Sequence, residues 1–100
     1  MSHICYRQHG YQVIEESYYD SKRKRNGYNY ILYNTKKPWE DGHTHLHSRK
    51  NCIDSIRFIS QERVPTTNNK RYLESLIRVT QPGEYQNKLI KRLKEVLRSK

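Results

Sequence analysis

The chain has 100 residues, enough for one domain around one small core. Its formal net charge is +10 and its pI is near 9.8, so its field attracts polyanions, nucleic acid first among them. Leu, Ile, Val and Phe make up only 20 residues and Ala is absent, but nine Tyr and one Trp restore the missing apolar bulk, which argues against a disordered tail.

His3 to Arg7 and Tyr11 to Glu15 read as two strands, with a turn at Gln8-His9-Gly10 where glycine accepts a positive φ. Lys22-Arg23-Lys24-Arg25-Asn26-Gly27 follows, and four adjacent cations repel one another into an exposed loop or hairpin tip. Tyr18 and Tyr19 precede this loop, and Tyr28 and Tyr30 follow it. Cations interleaved with aromatic rings suit a nucleic acid, because bases stack on rings while phosphates meet Lys and Arg. Alternating Tyr also packs a sheet, and alternation alone does not separate the two roles.

Tyr28 to Tyr33 is the strongest strand signal. Lys36 to Gly42 reads as a turn carrying Trp39 near its tip, and His43 to His47 returns as a short strand. Extended backbone puts His43, His45 and His47 on one face, about 7 Å apart. A pair of these could hold Zn²⁺ or Mn²⁺ beside Glu40 or Asp41, although no third ligand is fixed by spacing. A plain polar strand face anchored by Leu46 accounts for the same pattern, and no cofactor is expected.

Ser48 can cap a helix from Arg49 to about Arg63, with Cys52, Ile53, Ile56 and Ile59 on its buried side, ending at Val64-Pro65. Thr66 to Asn69 forms a turn and cap, and a second helix runs to about Thr80 with Tyr72, Leu73, Leu76 and Ile77 inward. Pro82-Gly83 breaks it. A third helix begins near Glu84, with Tyr85, Leu89, Leu93, Val96 and Leu97 on one stripe and Lys88, Lys91, Arg92, Lys94 and Arg98 on the other side. The first two helices, with Asn68-Asn69-Lys70-Arg71 opening the second, also fit a helix-turn-helix pattern that reads DNA. Cys5 and Cys52 lack CxxC spacing, and the chain shows no signal peptide and no bilayer-spanning run. These features predict reduced, core-packed thiols in the cytoplasm, with no membrane partner.

His45-Leu46-His47 resembles the His-hydrophobe-His motif of the HUH endonucleases, and Tyr85-Gln86-Asn87-Lys88 resembles their downstream Tyr-x-x-Lys motif. The resemblance implies His45 and His47 as metal ligands, Tyr85 as the nucleophile that nicks single-stranded DNA, and Lys88 as its electrostatic partner. That family sets its histidines on a central strand of a five-stranded sheet, whereas here Ser48 to Asn51 turns at once into a helix. Gly42-His43-Thr44-His45-Leu46 and Tyr72 to Arg78 also resemble small uncharacterised proteins of phages and mobile elements in AT-rich bacteria. That likeness implies a role in element maintenance or host manipulation, including inhibition of a host defence or replication machine through a host-protein partner.

The expectation is a single α+β domain over 1–100: a β-rich part (1–48) with a small antiparallel sheet of three or four strands, and a helical part (49–100) with three helices packed on one sheet face. The favoured function is non-catalytic nucleic-acid binding by a small accessory or regulatory protein. Lys22, Arg23, Lys24 and Arg25 would hold phosphates, Lys70, Arg71, Lys88, Lys91 and Arg92 would add a second patch, and Tyr28, Tyr30 and Trp39 would stack on bases.

Overall fold

The structure, a computed structural model, describes residues 2–98. Strands β1 (Ser2–Gln8), β2 (Tyr11–Asp20), β3 (Arg25–Asn34) and β4 (His43–Leu46) form one antiparallel sheet in chain order, the meander that short connections favour. His9 and Gly10 both take positive φ, +55° and +81°, which is the conformation a two-residue hairpin turn requires. Three of the strands alternate cleanly. Tyr11, Val13, Leu32 and Thr44 face the helices, while Ile14, Ile31 and His45 face away.

Beyond the sheet the elements are α1 (Trp39–Gly42), α2 (Arg49–Ser60), α3 (Lys70–Val79) and α4 (Glu84–Arg98). The segment around Trp39 was expected as a plain turn, but it winds one helical turn after Pro38, whose carbonyl accepts from the amides of Asp41 and Gly42. Helix α2 stops at Ser60 rather than near Arg63. Glu62 adopts φ +53°, its amide donates to Ile59, and the Arg63 amide donates to Phe58. This is a Schellman closure with Glu where Gly is usual. Residues 61–69 then link α2 to α3, too long for the three- or four-residue turn of a helix-turn-helix, so that reading is corrected.

Two apolar clusters hold the domain. Tyr11, Val13 and Leu32 of the sheet meet Cys52 and Ile56 of α2 and Val79 of α3. Leu73 and Leu76 on another side of α3 meet Leu89 of α4, with Tyr85, Leu93 and Val96 around them. Helix α4 therefore packs chiefly on α3 rather than beside it on the sheet, because α3 is apolar on two sides. A bulge between Ile4 and Tyr6 sets Tyr6 opposite Val13, so that Cys5 and Tyr6 both pack against the core, and Cys5 lies close enough to Cys52 to oppose that thiol's ionisation. No helix among the described residues is long and apolar enough to cross a membrane.

One end of the domain is fixed by side chains that satisfy the last carbonyls of α3. Asn34, 2 % exposed, donates from Nδ2 to the Val79 carbonyl at 2.7 Å and accepts the Lys36 amide at 3.0 Å. Lys37 Nζ donates to the Arg78 carbonyl, and Gln86 Nε2 to those of Ile77 and Thr80. Arg78 in turn donates to the carbonyls of His43 and Glu40. We call this end the base.

Candidate nucleic-acid interface

At the other end, β2 and β3 run on past their neighbours. Among the described residues, β1 pairs with β2 only as far as Ser2 opposite Glu16, and β4 with β3 only as far as Leu46 opposite Tyr30. The pairs from Ser17–Tyr28 to Asp20–Arg25 have no flanking strand among the described residues, which leaves a two-stranded arm about 13 Å long before its turn. The sequence predicted the second strand to end at Glu15, because the residues that follow lose the polar-apolar alternation. Cross-strand pairing with 25–29 carries the strand five residues further.

The tip is shaped by Asp20. Its Oδ1 accepts the amides of Lys22 at 3.0 Å and Arg23 at 3.3 Å, and its Oδ2 lies 3.8 Å from Arg23 Nε. Lys24 sits at φ +53° and closes the turn. One carboxylate thus folds the loop and offsets one cation. Among the described residues, Lys22, Lys24 and Arg25 enter no ion pair. Tyr19 (64 % exposed) and Tyr28 (51 %) share one face of the arm. Tyr18 lies on the other face, across Gly27, where any Cβ would run into its ring. Tyr30 departs from its expected stacking role. It faces the core, and its hydroxyl donates to Glu15 Oε2 at 2.8 Å, a bond that pushes its pKa up.

The second expected patch divides. Lys70 and Arg71 are exposed at the first two positions of α3, and Lys88 and Lys91 are exposed on α4. Arg92 is structural: its Nη2 donates to the Thr67 carbonyl and Asn68 Oδ1, each at 3.2 Å, and its Nη1 lies 3.6 Å from Glu95. It ties α4 to the loop before α3 and is not free to grip a phosphate.

The histidine strand builds an aromatic row. Trp39 stacks on His43 at 4.4 Å and 4°, Tyr33 meets Trp39 at 5.1 Å, and His43 meets His45 edge-on at 5.6 Å. His47 lies past the end of β4. No group of three or more His, Cys, Asp or Glu able to hold a metal occurs among the described residues. Tyr85 belongs to another cluster of the fold. It packs in the α3–α4 cluster, donates to the Arg63 carbonyl at 2.7 Å, and burial pushes its pKa up. His45 stands on the opposite face of the sheet. The structure does not bring the two HUH-like motifs together.

A feature the sequence did not announce is a cleft of about 420 Å³ beside β4, between the starts of α2 and α3. His47, Asn51, Asn69, Arg71, Tyr72 and Ser75 are among its lining residues. The caps that begin those helices were legible: Ser48 Oγ accepts the Asn51 amide and Asn69 Oδ1 accepts the Tyr72 amide. Their convergence on one hollow was not, because it depends on how α2 and α3 cross the sheet.

Compared with protein-family models, with curated proteins and with solved structures, the chain matches none. The class that the structure defines is an α+β domain with a four-stranded antiparallel meander, helices on one face and a projecting two-stranded arm.

Proposed function

We propose that this chain is a non-catalytic nucleic-acid-binding protein that grips its target with the β2–β3 arm. The observation that carries the reading is the arm itself: a ribbon with no flanking strand, Lys22, Lys24 and Arg25 outside any ion pair at its end, and exposed Tyr on both faces. A two-stranded ribbon fits the roughly 12 Å major groove of duplex DNA, and exposed rings with nearby cations also suit unpaired bases. In this reading Lys22, Arg23, Lys24 and Arg25 meet phosphates, Tyr19 and Tyr28 meet bases or sugars, and Lys70, Arg71, Lys88 and Lys91 widen the positive field. The protein serves as an accessory or regulatory factor of a phage or mobile element inside its bacterial host, a role in keeping with the resemblance of Gly42 to Leu46 and Tyr72 to Arg78 to such proteins.

Fluorescence anisotropy with labelled single-stranded and duplex oligonucleotides, titrated with salt, tests the proposal. Affinity is expected to fall steeply as salt rises. Absence of binding at low salt, or affinity indifferent to salt, overturns it. A second reading, a protein-binding inhibitor of a host defence or replication machine, is supported by the helix-free sheet face, where Ile4 is 43 % exposed and Trp39 is also exposed. It requires a stable complex with a host protein that Trp39→Ala weakens.

A further inference from the structure

The cleft beside β4 has no part in the arm's grip, and its chemistry is specific. We propose that it binds a nucleotide through its phosphate, either free or as the phosphorylated end of a strand. The proposal adds a subsite to the nucleic-acid reading but does not need the arm to bind anything.

The floor of the cleft is polar yet internally satisfied. Ser75 accepts the Thr44 hydroxyl at 2.9 Å, and Tyr72 shares a 2.7 Å hydrogen bond with Ser55. The rim is the reverse. Among the described residues, the side chains of His47, Asn51 and Arg71 have no hydrogen-bond or ion-pair partner; the first two lie four residues apart around the start of α2, and the third opens α3. Among the described residues no carboxylate lines the hollow, in a protein with ten Asp and Glu. A guanidinium, an amide and an imidazole with free donors around a carboxylate-free cavity make a site for an oxyanion.

The backbone reinforces these side chains. Neither α2 nor α3 has an acid in its first turn, so the positive ends of both macrodipoles are uncompensated where they meet the cleft. Size decides what the anion is attached to. At about 420 Å³ the cleft is far larger than a phosphate and falls within the range of small-ligand pockets. Leu46 and the Tyr72 ring offer apolar surface for a base or sugar, and the Asn51 amide can meet a base edge.

The test is ¹H–¹⁵N NMR at fixed ionic strength, adding inorganic phosphate, adenosine monophosphate, and one short oligonucleotide with and without a 5′-phosphate. Shifts are expected at residues 47–51 and 69–72 with adenosine monophosphate, and more weakly with inorganic phosphate. A 5′-phosphorylated strand that outcompetes its 5′-hydroxyl twin assigns the cleft to strand ends; equal strand affinities with a strong mononucleotide response assign it to free nucleotides. Arg71→Gln should weaken mononucleotide binding about tenfold or more, as loss of one charge-assisted bond requires. Asn51→Asp guards against misfolding: an acid in the first turn of α2 favours the helix dipole while repelling phosphate, so this variant should fold and not bind. Neutralising Lys22 to Arg25 should leave mononucleotide affinity unchanged, which separates failure of the arm from failure of the cleft. No shift in the cleft at about 10 mM ligand, or an Arg71→Gln variant that binds as the parent does, overturns the proposal.

Discussion

The arm makes a quantitative demand. Lys22, Arg23, Lys24 and Arg25 lie in or beside a turn whose fold depends on Asp20 and on backbone amides, not on their own side chains. Replacing all four with Gln therefore removes charge and leaves the hairpin. Each phosphate neutralised by a cation contributes about 0.9 to the slope of log affinity against log salt on duplex DNA. Arg23 is already ion-paired with Asp20, so three to four contacts are at stake. The slope should become shallower by about 2.7 to 3.6. Over a fourfold rise in salt, the parent should then lose about 40- to 150-fold more affinity than the variant. Anisotropy titrations of both proteins at four or five salt concentrations give the two slopes directly. A change of less than about one would mean that at most one of the four side chains meets a phosphate, and the arm would not be the grip.

Two further expectations concern the scaffold. Asn34→Ala leaves the buried Val79 carbonyl and the Lys36 amide without their partner and should cost about 2–3 kcal/mol, read as a lower urea midpoint; an unchanged midpoint would show that the base does not hold α3 through this residue. Burial, aided by the nearby Cys5, pushes the Cys52 thiol up from 9.0 to about 12, so above pH 9 the unfolded chain releases this proton while the folded chain keeps it. Stability should decline as pH rises through that window, by at most about 1.4 kcal/mol per unit, and Cys52→Ala should flatten the decline in urea titrations between pH 7 and 9.5.

Much of the fold was written in short-range pattern. The alternation through Tyr11 and Val13, the His9-Gly10 turn, and the caps at Ser48 and Asn69 all stand where the sequence placed them. Features set by a residue's partners rather than by its type were not legible. The arm continues through Glu16 to Asp20 because β3 lies opposite, and nothing in those residues alone specifies a strand. Helix α2 is closed off through Glu62 although Glu carries no left-handed preference; the closing bonds to Phe58 and Ile59 impose that conformation. Arg92 looks like its basic neighbours in sequence, and only the fold shows that its guanidinium is engaged by Thr67 and Asn68. Tyr30 likewise differs from Tyr28 by facing the core instead of open solvent.

Sorting the cations by partner sharpens what a charge of +10 means for this protein. At the base, Lys37 and Arg78 are bound to carbonyls and hold elements together. On α2, Lys50 and Arg57 flank Asp54 at 3.0 and 4.0 Å. Cations without such engagement include Lys22, Lys24 and Arg25 at the arm and Arg71 at the cleft. Strand register places the cleft partway between the base and the tip of the arm. Strand β3 leads from Asn34 at the base to Arg25 at the arm, and Leu46, on the cleft's edge, stands opposite Tyr30 between them. Five strand steps separate Tyr30 from Arg25, about 17 Å along the sheet. That span matches about five base pairs of duplex, each about 3.4 Å along the axis. A polyanion held by the arm would thus extend toward the cleft and away from the base, where the Lys and Arg side chains already serve the fold.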